Sequence, residues 1–306
     1  MTTVSIIGLG AIGAAHAARI AEAAPLTQIR VIATEPRAER LRAEGVTVNG
    51  IRYDFPVVEP AEPVEPADLI IVAVKHHDLA EAIGQLAGHV GPQTVICSLL
   101  NGITSEEELS AAYPQASVPL AVSVGIDAVR DADGVRFTTV GRIEFGDAVP
   151  GEPSEGVRRL DELLTTFEIP HRISSDAPRT LWWKLLLNVG ANQVSALLEA
   201  PYGLFQSDGP ARDLMVSAQR EVVAVARARG VNLSEDDIDQ MIGIIGTLGP
   251  SNYTSMAQDA LAHRRTEVDQ FAGTVVALGE QYGIDTPVNR VLLQAFEAKH
   301  QLWGVA

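Results

Sequence analysis

The chain has 306 residues, of which 46% are hydrophobic and 20% charged, enough apolar material for two globular domains with sizeable cores. Its formal net charge of −16 leaves no phosphate-neutralising face, which excludes nucleic acid and anionic membrane as partners. No apolar run approaches the roughly 18 residues of a spanning helix, and the first basic residue is Arg19, so a charged signal-peptide region is missing and a cytoplasmic location is expected.

From the amino terminus, Thr3-Val4-Ser5-Ile6-Ile7 reads as a strand that breaks into Gly8-Leu9-Gly10-Ala11-Ile12-Gly13 and then an alanine-rich helical pattern. In that strand–turn–helix context the glycines have separate duties. Gly8 permits the tight turn, Gly10 lets the backbone approach a pyrophosphate, and Gly13 lets the helix lie close to the strand. The first N–H groups of the helix then face the phosphates, so residues 8–13 are expected to cradle a dinucleotide. Residues 29–33 read as a second strand and 37–44 as a second helix. Between them stands Thr34-Glu35-Pro36-Arg37. Glu35 can bind the ribose hydroxyls of NAD, Thr34 with Arg37 and Arg40 can hold the 2′-phosphate of NADP, or Glu35 is a solvated turn residue.

Residues 68–75 form a continuous apolar strand suited to a sheet covered on both faces. It ends in Lys75, at the edge where open α/β sheets bind ligands, and His76 and His77 follow as surface residues. The next strand, 94–99, holds Cys97, the single cysteine, expected to pack rather than react. It leads into Asn101-Gly102, where Asn101 is either a turn former or a hydrogen-bonding group for cofactor or substrate. Residues 119–128 and 135–145, separated by Asp131-Ala132-Asp133-Gly134, read as a hairpin completing the sheet. A helix at about 154–167 and a strand at 171–174 close an expected domain of residues 1–174.

From 175 to 306 the pattern is helical only: a long helix from Ala177 to about 198, then about 211–229, 235–245 behind a Ser234 cap, 255–281, and 287–301 behind Thr286. The layout is α/β, with an all-helical second domain and the cleft between domains as the expected site. Lys184, Asn188 and Asn192 recur every four residues, each turned about 40° from the last on one helix, a polar stripe among leucines. Such groups are costly unless partnered or lining a cleft. Ser255 and Glu267 lie twelve residues apart. On one uninterrupted helix that is about 120° of rotation, too far to share a face. Ser255 as a helix cap and Glu267 paired with Arg264 or Arg265 are their structural readings. No metal-ligand cluster is apparent.

The chain resembles the 2-dehydropantoate 2-reductases, or ketopantoate reductases, over nearly its whole length. The likeness rests on Gly8-x-Gly10-x-x-Gly13, Lys75 after its strand, Asn101-Gly102, the Lys184-Asn188-Asn192 helix, and Ser255-Met256-x-x-Asp259 with Thr266-Glu267-x-Asp269. The resemblance implies a Rossmann domain plus a helical domain, and NADPH-dependent reduction of ketopantoate to pantoate in pantothenate biosynthesis. It further implies Lys184 as general acid, Asn188, Asn192, Ser255 and Glu267 as substrate-binding residues, and a homodimer. Two positions depart from the family's pattern: Thr34 and Glu35 stand where an arginine for the 2′-phosphate is common, and Tyr202 where asparagine is common. They keep open NAD as cofactor and an NAD-dependent D-2-hydroxyacid dehydrogenase acting on a bulkier 2-oxo acid. A third reading, from another class, is a non-catalytic NAD(P) sensor, against which the polar stripe argues.

Overall fold

A computed structural model describes residues 1–305. The chain divides into two compact units, one of Met1–Leu100 with Thr104–Thr180, the other of Asn101–Ile103 with the chain from Leu181 onward.

The first unit runs β1 (Thr3–Ile7), α1 (Ala11–Ala23), β2 (Gln28–Ile32), α2 (Arg37–Glu44), β3 (Val46–Val48), β4 (Ile51–Tyr53), β5 (Val57–Val58), β6 (Leu69–Val72), α3 (Leu79–Gln85) and β7 (Val95–Ser98). It continues through α4 (Ser105–Ala112), β8 (Leu120–Val124), β9 (Val129–Asp131), β10 (Gly134–Arg136), β11 (Arg142–Gly146), α5 (Glu155–Thr166) and β12 (His171–Ile173). The main sheet is parallel in the order β5-β2-β1-β6-β7, the Rossmann order, so the chain reverses direction across the sheet between β1 and β6. Alternate strand residues enter opposite cores: Val4, Ile6, Leu69 and Ile71 on one face, Ile7, Ile70 and Val72 on the other. That is why these strands read as continuous apolar runs.

The sheet expectation needs correction. Asp131 and Gly134 do pair across the β9–β10 turn, but this hairpin joins β3 and β4 in a separate four-stranded sheet, and β8, β11 and β12 form a third. Residues 119–145 therefore do not complete the parallel sheet. The β3–β4 hairpin was not anticipated, although Asn49-Gly50 supplies the two positive-φ residues of its turn.

The second unit takes up the chain within α6 (Ala177–Leu187), at Leu181; α6 runs into a π-helical turn, Asn188–Asn192, and on into α7 (Gln193–Leu198). Then come α8 (Pro210–Ala228), α9 (Glu235–Thr247), α10 (Ser255–Leu261), α11 (Ala272–Tyr282) and α12 (Pro287–Trp303). Phe205, Met215, Met241 and Ile245 pack with Ala191 and Val194 into a core. The expected single helix over 255–281 is broken. His263 takes a left-handed conformation, with Arg264 N bonded to Asp259 O and His263 N to Ala260 O, a double hydrogen bond that closes α10. No helix among the described residues is long and apolar enough to cross a membrane.

Candidate active site

In the first unit, Gly8 has φ +94, and a Cβ there would lie 2.6 Å from the Ala73 backbone. A Cβ on Gly13 would lie 2.0 Å from Gly8 O, so α1 can start this close to β1 only with glycine. Gly10 differs: a Cβ would meet nothing nearer than Ala73 O at 4.0 Å, so no protein atom requires this glycine. The space in front of it is left for a ligand. No side chain caps α1 either, leaving its first N–H groups, those of Ala11, Ile12 and Gly13, open to an anion. Beside the loop is a cleft of about 180 Å³ lined by Gly8, Leu9, Thr34, Arg37, Val74 and Asp78. The observations suit a dinucleotide.

Charge around this cleft is distributed unevenly for so acidic a chain. Glu35 turns away from the cleft lining: its carboxylate accepts from Glu39 N at 2.8 Å and pairs with Arg42 at 2.9 Å, holding the start of α2. Arg37 and Arg40 make no ion pair or side-chain hydrogen bond among the described residues. Arg130 donates to the carbonyl of Leu9. Desolvation and then the like charges of Arg130 and Arg40 lower the Arg37 pKa, with Asp78 opposing. Three mutually repelling guanidiniums persist together most readily where an anion joins them. Lys75 follows β6 and opens a 3-10 turn of residues 76–78, half-buried. His76 is not the bare surface residue expected, since it contacts Glu108 at 3.2 Å and Thr104 at 3.3 Å. Cys97 is buried in β7, its thiol pushed up to about 12 by burial and by Glu106, so it is inert.

In the second unit, Lys184 is half-buried and makes no hydrogen bond or ion pair among the described residues. Desolvation lowers its pKa from the usual lysine value. One turn on, Asn188 is 1% exposed and accepts from Asn192 Nδ2 at 3.0 Å, while its own Nδ2 has no partner. The stripe is real, but the rotation assumed for it is not: Asn188 to Asn192 is the π-turn, wider than an α-turn. Gln219 on α8 donates to Leu186 O at 3.2 Å, and Gln193 donates to Val189 O at 2.8 Å and accepts from Ala272 N at 2.9 Å. A Cβ on Gly190 would sit 2.6 Å from the Gln219 side chain. These two glutamines are site-supporting residues that sequence reasoning missed; Gly190 inside a leucine-rich helix was the available signal.

Glu267 is 7% exposed and accepts from Asn101 Nδ2 at 3.4 Å, so Asn101, expected near the cofactor, contacts the expected substrate acid. The arginines nearby have other partners: Arg264 pairs with Asp259 at 2.9 Å and Arg265 with Asp269 at 3.3 Å. Ser255 is exposed at the first position of α10 and is not its cap. Thr254 caps the helix, accepting from Ala257 N at 3.1 Å and donating to Ser195 on α7 at 3.3 Å. Because α10 ends at Leu261, the rotation computed for an unbroken helix does not separate Ser255 from Glu267.

A Rossmann sheet with an uncapped glycine turn at the start of α1 is the fold of a dinucleotide-dependent enzyme, and the class is NAD(P)-dependent oxidoreductase. The chain belongs to the ketopantoate reductase family: residues 4–150 match the description "Ketopantoate reductase PanE/ApbA" and 176–300 "Ketopantoate reductase PanE/ApbA C terminal". Relatives named 2-dehydropantoate 2-reductase include that of Caulobacter vibrioides, 32% identical over 97% of this chain and 99% of the relative. Another, from Pyrobaculum aerophilum, is 33% identical over 76% and 77%. Among solved structures, the fold is similar to a ternary complex of D-mandelate dehydrogenase with NADH and anilino(oxo)acetate, at TM-score 0.88, 21% identity and full coverage of both chains. It is also similar to a dimeric ketopantoate reductase from Staphylococcus aureus, at TM-score 0.80, 23% identity and 99% and 100% coverage.

Proposed function

We propose that the protein reduces 2-dehydropantoate (ketopantoate) to (R)-pantoate with NADPH, as a cytoplasmic homodimer like the dimeric Staphylococcus aureus neighbour. The observation that carries this reading is the unpartnered Nδ2 of buried Asn188, one turn from the unpaired Lys184. An open buried donor costs free energy in the free protein and recovers it when a ligand oxygen accepts from it.

When bound, the nicotinamide supplies a hydride to the ketone carbon. Residues 8–13 would hold the pyrophosphate through backbone N–H groups, and Arg37, Arg40 and Arg130 would supply the positive charge for a 2′-phosphate. Lys184 gives its proton to the ketone oxygen as negative charge grows there; its lowered pKa makes it a stronger acid than a solvated lysine. Asn188 and Asn192 orient the substrate, Ser255 supplies a hydroxyl, and Glu267, steadied by Asn101, accepts from the terminal hydroxyl of ketopantoate.

A second reading is favoured by Tyr202, half-buried against the core of the helical unit where the family commonly carries asparagine. An aromatic side chain there suits a bulkier 2-oxo acid, as in a D-2-hydroxyacid dehydrogenase. Absorbance of NADPH and of NADH, followed separately against a panel of 2-oxo acids, tests both. Fastest turnover of ketopantoate with NADPH supports the proposal, whereas a preference for NADH with aromatic 2-oxo acids replaces it with the second reading.

A further inference from the structure

Between the end of α10 and the turn at Val268–Gln270, the segment carrying Glu267 has no regular structure of its own. Thr266, the residue before Glu267, is fastened by a side chain 34 residues further on. The backbone N–H of Thr266 donates to Nε2 of His300, on the last turn of α12, at 3.0 Å, and Thr266 Oγ1 lies 2.9 Å from the same nitrogen. Thr266 is 2% exposed and His300 5%, so water does not substitute readily for this contact.

The chemistry of the pair is one-directional. A backbone N–H can only donate, so Nε2 must present its lone pair, and the ring is neutral with its proton on Nδ1. A proton added at Nε2 would leave two N–H groups facing each other, with Thr266 Oγ1 as the acceptor the new proton could reach. The buried Thr266 N–H would then lose its partner, one residue before Glu267.

We propose that His300 is a positioning residue for Glu267: its neutral imidazole holds the Thr266 backbone, and protonation of the ring releases that hold and weakens binding of the 2-oxo acid. The inference rests on the reading of Glu267 as the group that binds substrate.

The surroundings support a neutral ring at working pH. Desolvation lowers the His300 pKa most, and Arg265 lowers it further, while Asp269 and Glu297 favour the charged form. Phe296 lies against the ring at 6.4 Å between centroids and Trp303 at 5.8 Å. Trp303 in turn stacks on His263 at 5.3 Å and carries the Lys299 ammonium at 5.4 Å, placing a second histidine and a cation beyond the indole. The clasp is intact above the pKa of His300 and lost as pH falls through it.

The test compares wild type, His300→Gln and His300→Leu in the full-length enzyme. Glutamine offers an oxygen with about the reach of Nε2 and does not titrate; leucine offers no acceptor. Three readouts are taken from pH 5 to 8: KM for ketopantoate at saturating cofactor, Kd for NADPH, and hydrogen exchange of the segment containing Thr266. For His300→Leu at pH 8 we expect about a tenfold higher KM, unchanged Kd and about tenfold faster exchange at that segment. For His300→Gln we expect near wild-type values at pH 8 and loss of the rise in KM that wild type shows toward pH 5. A wild-type acid rise retained in His300→Gln would overturn the proposal, and so would unchanged exchange in His300→Leu. Faster exchange without a change in KM would also overturn it, and would place the fault in the assignment of Glu267, since exchange requires no substrate. If His300→Leu does not fold, the pH profile of His300→Gln decides alone.

Discussion

In the dinucleotide unit the groups proposed to meet a ligand are backbone N–H donors of residues 8–13; in the helical unit they are the side chains of Lys184, Asn188, Asn192 and Glu267. Backbone recognition demands particular conformations, and only glycine meets them, as Gly8 at φ +94 and Gly13 with 2.0 Å of room show. Side-chain recognition demands instead that a scaffold hold costly polar groups in place: the π-turn under Asn188 and Asn192, Asn101 beside Glu267, and the Gln219 and Gln193 bonds that secure the turn. The first kind of site fails when a methyl group is added, the second when a partner is removed.

The largest effect expected from that contrast is at Gly13. Gly13→Val cannot be relieved without separating α1 from β1, so it should destabilise the unit by more than about 4 kcal/mol, or prevent soluble expression. Gly10→Ala should change stability by less than about 1 kcal/mol, because its Cβ meets nothing nearer than Ala73 O at 4.0 Å, yet weaken NADPH binding at least about tenfold. Thermal unfolding and cofactor fluorescence separate the two. Equal destabilisation by both would dissolve the distinction between the packing glycine and the ligand glycine.

An intermediate effect is expected in the helical unit. Glu267→Ala should lower kcat/KM for ketopantoate by about 10- to 100-fold, the value of a hydrogen bond to a charged group, and lower it little for 3-methyl-2-oxobutanoate, which lacks the hydroxyl. Equal losses on both substrates would make Glu267 part of the scaffold.

The smallest effect is a control in the dinucleotide unit, at a buried charge outside the expected ligand contacts. Glu106 is 2% exposed, accepts from Ser105 Oγ at 2.9 Å, and is raised to about 7 by desolvation first. Its folded pKa lies above its unfolded value, so the stability it confers is present below about pH 4.5 and lost as pH rises through about 7. Glu106→Gln should flatten that decline, gaining about 1 to 2 kcal/mol over wild type at pH 8 relative to pH 5, read from denaturant unfolding. A parallel pH dependence in the two proteins would show that Glu106 is not the titrating group.

The parallel core and the dinucleotide turn were legible because their signals are local: apolar runs, glycine spacing, a helix starting at once. The Lys184-Asn188-Asn192 stripe was legible as polarity among leucines. What escaped was decided at long range. The π-turn packs against Gln219, whose side chain leaves no room for a Cβ on Gly190, and the break after α10 has a histidine, not the usual glycine, in the left-handed position at His263. Asn101 reads in the sequence as a turn former or a hydrogen-bonding group for cofactor or substrate because it follows a sheet strand; that its amide bonds to Glu267, 166 positions away, has no local signal. The separate β4–β3–β10–β9 sheet was missed because two-residue turns specify a hairpin and not the sheet it joins.

Lys184 as the proton donor is the central step of the proposed reaction. Steady-state turnover of Lys184→Ala should fall about 100-fold or more in kcat while NADPH binds with wild-type affinity, and the wild-type rate should decline as pH rises through a lysine pKa lowered from the usual value. Near wild-type kcat in a folded Lys184→Ala enzyme would contradict it.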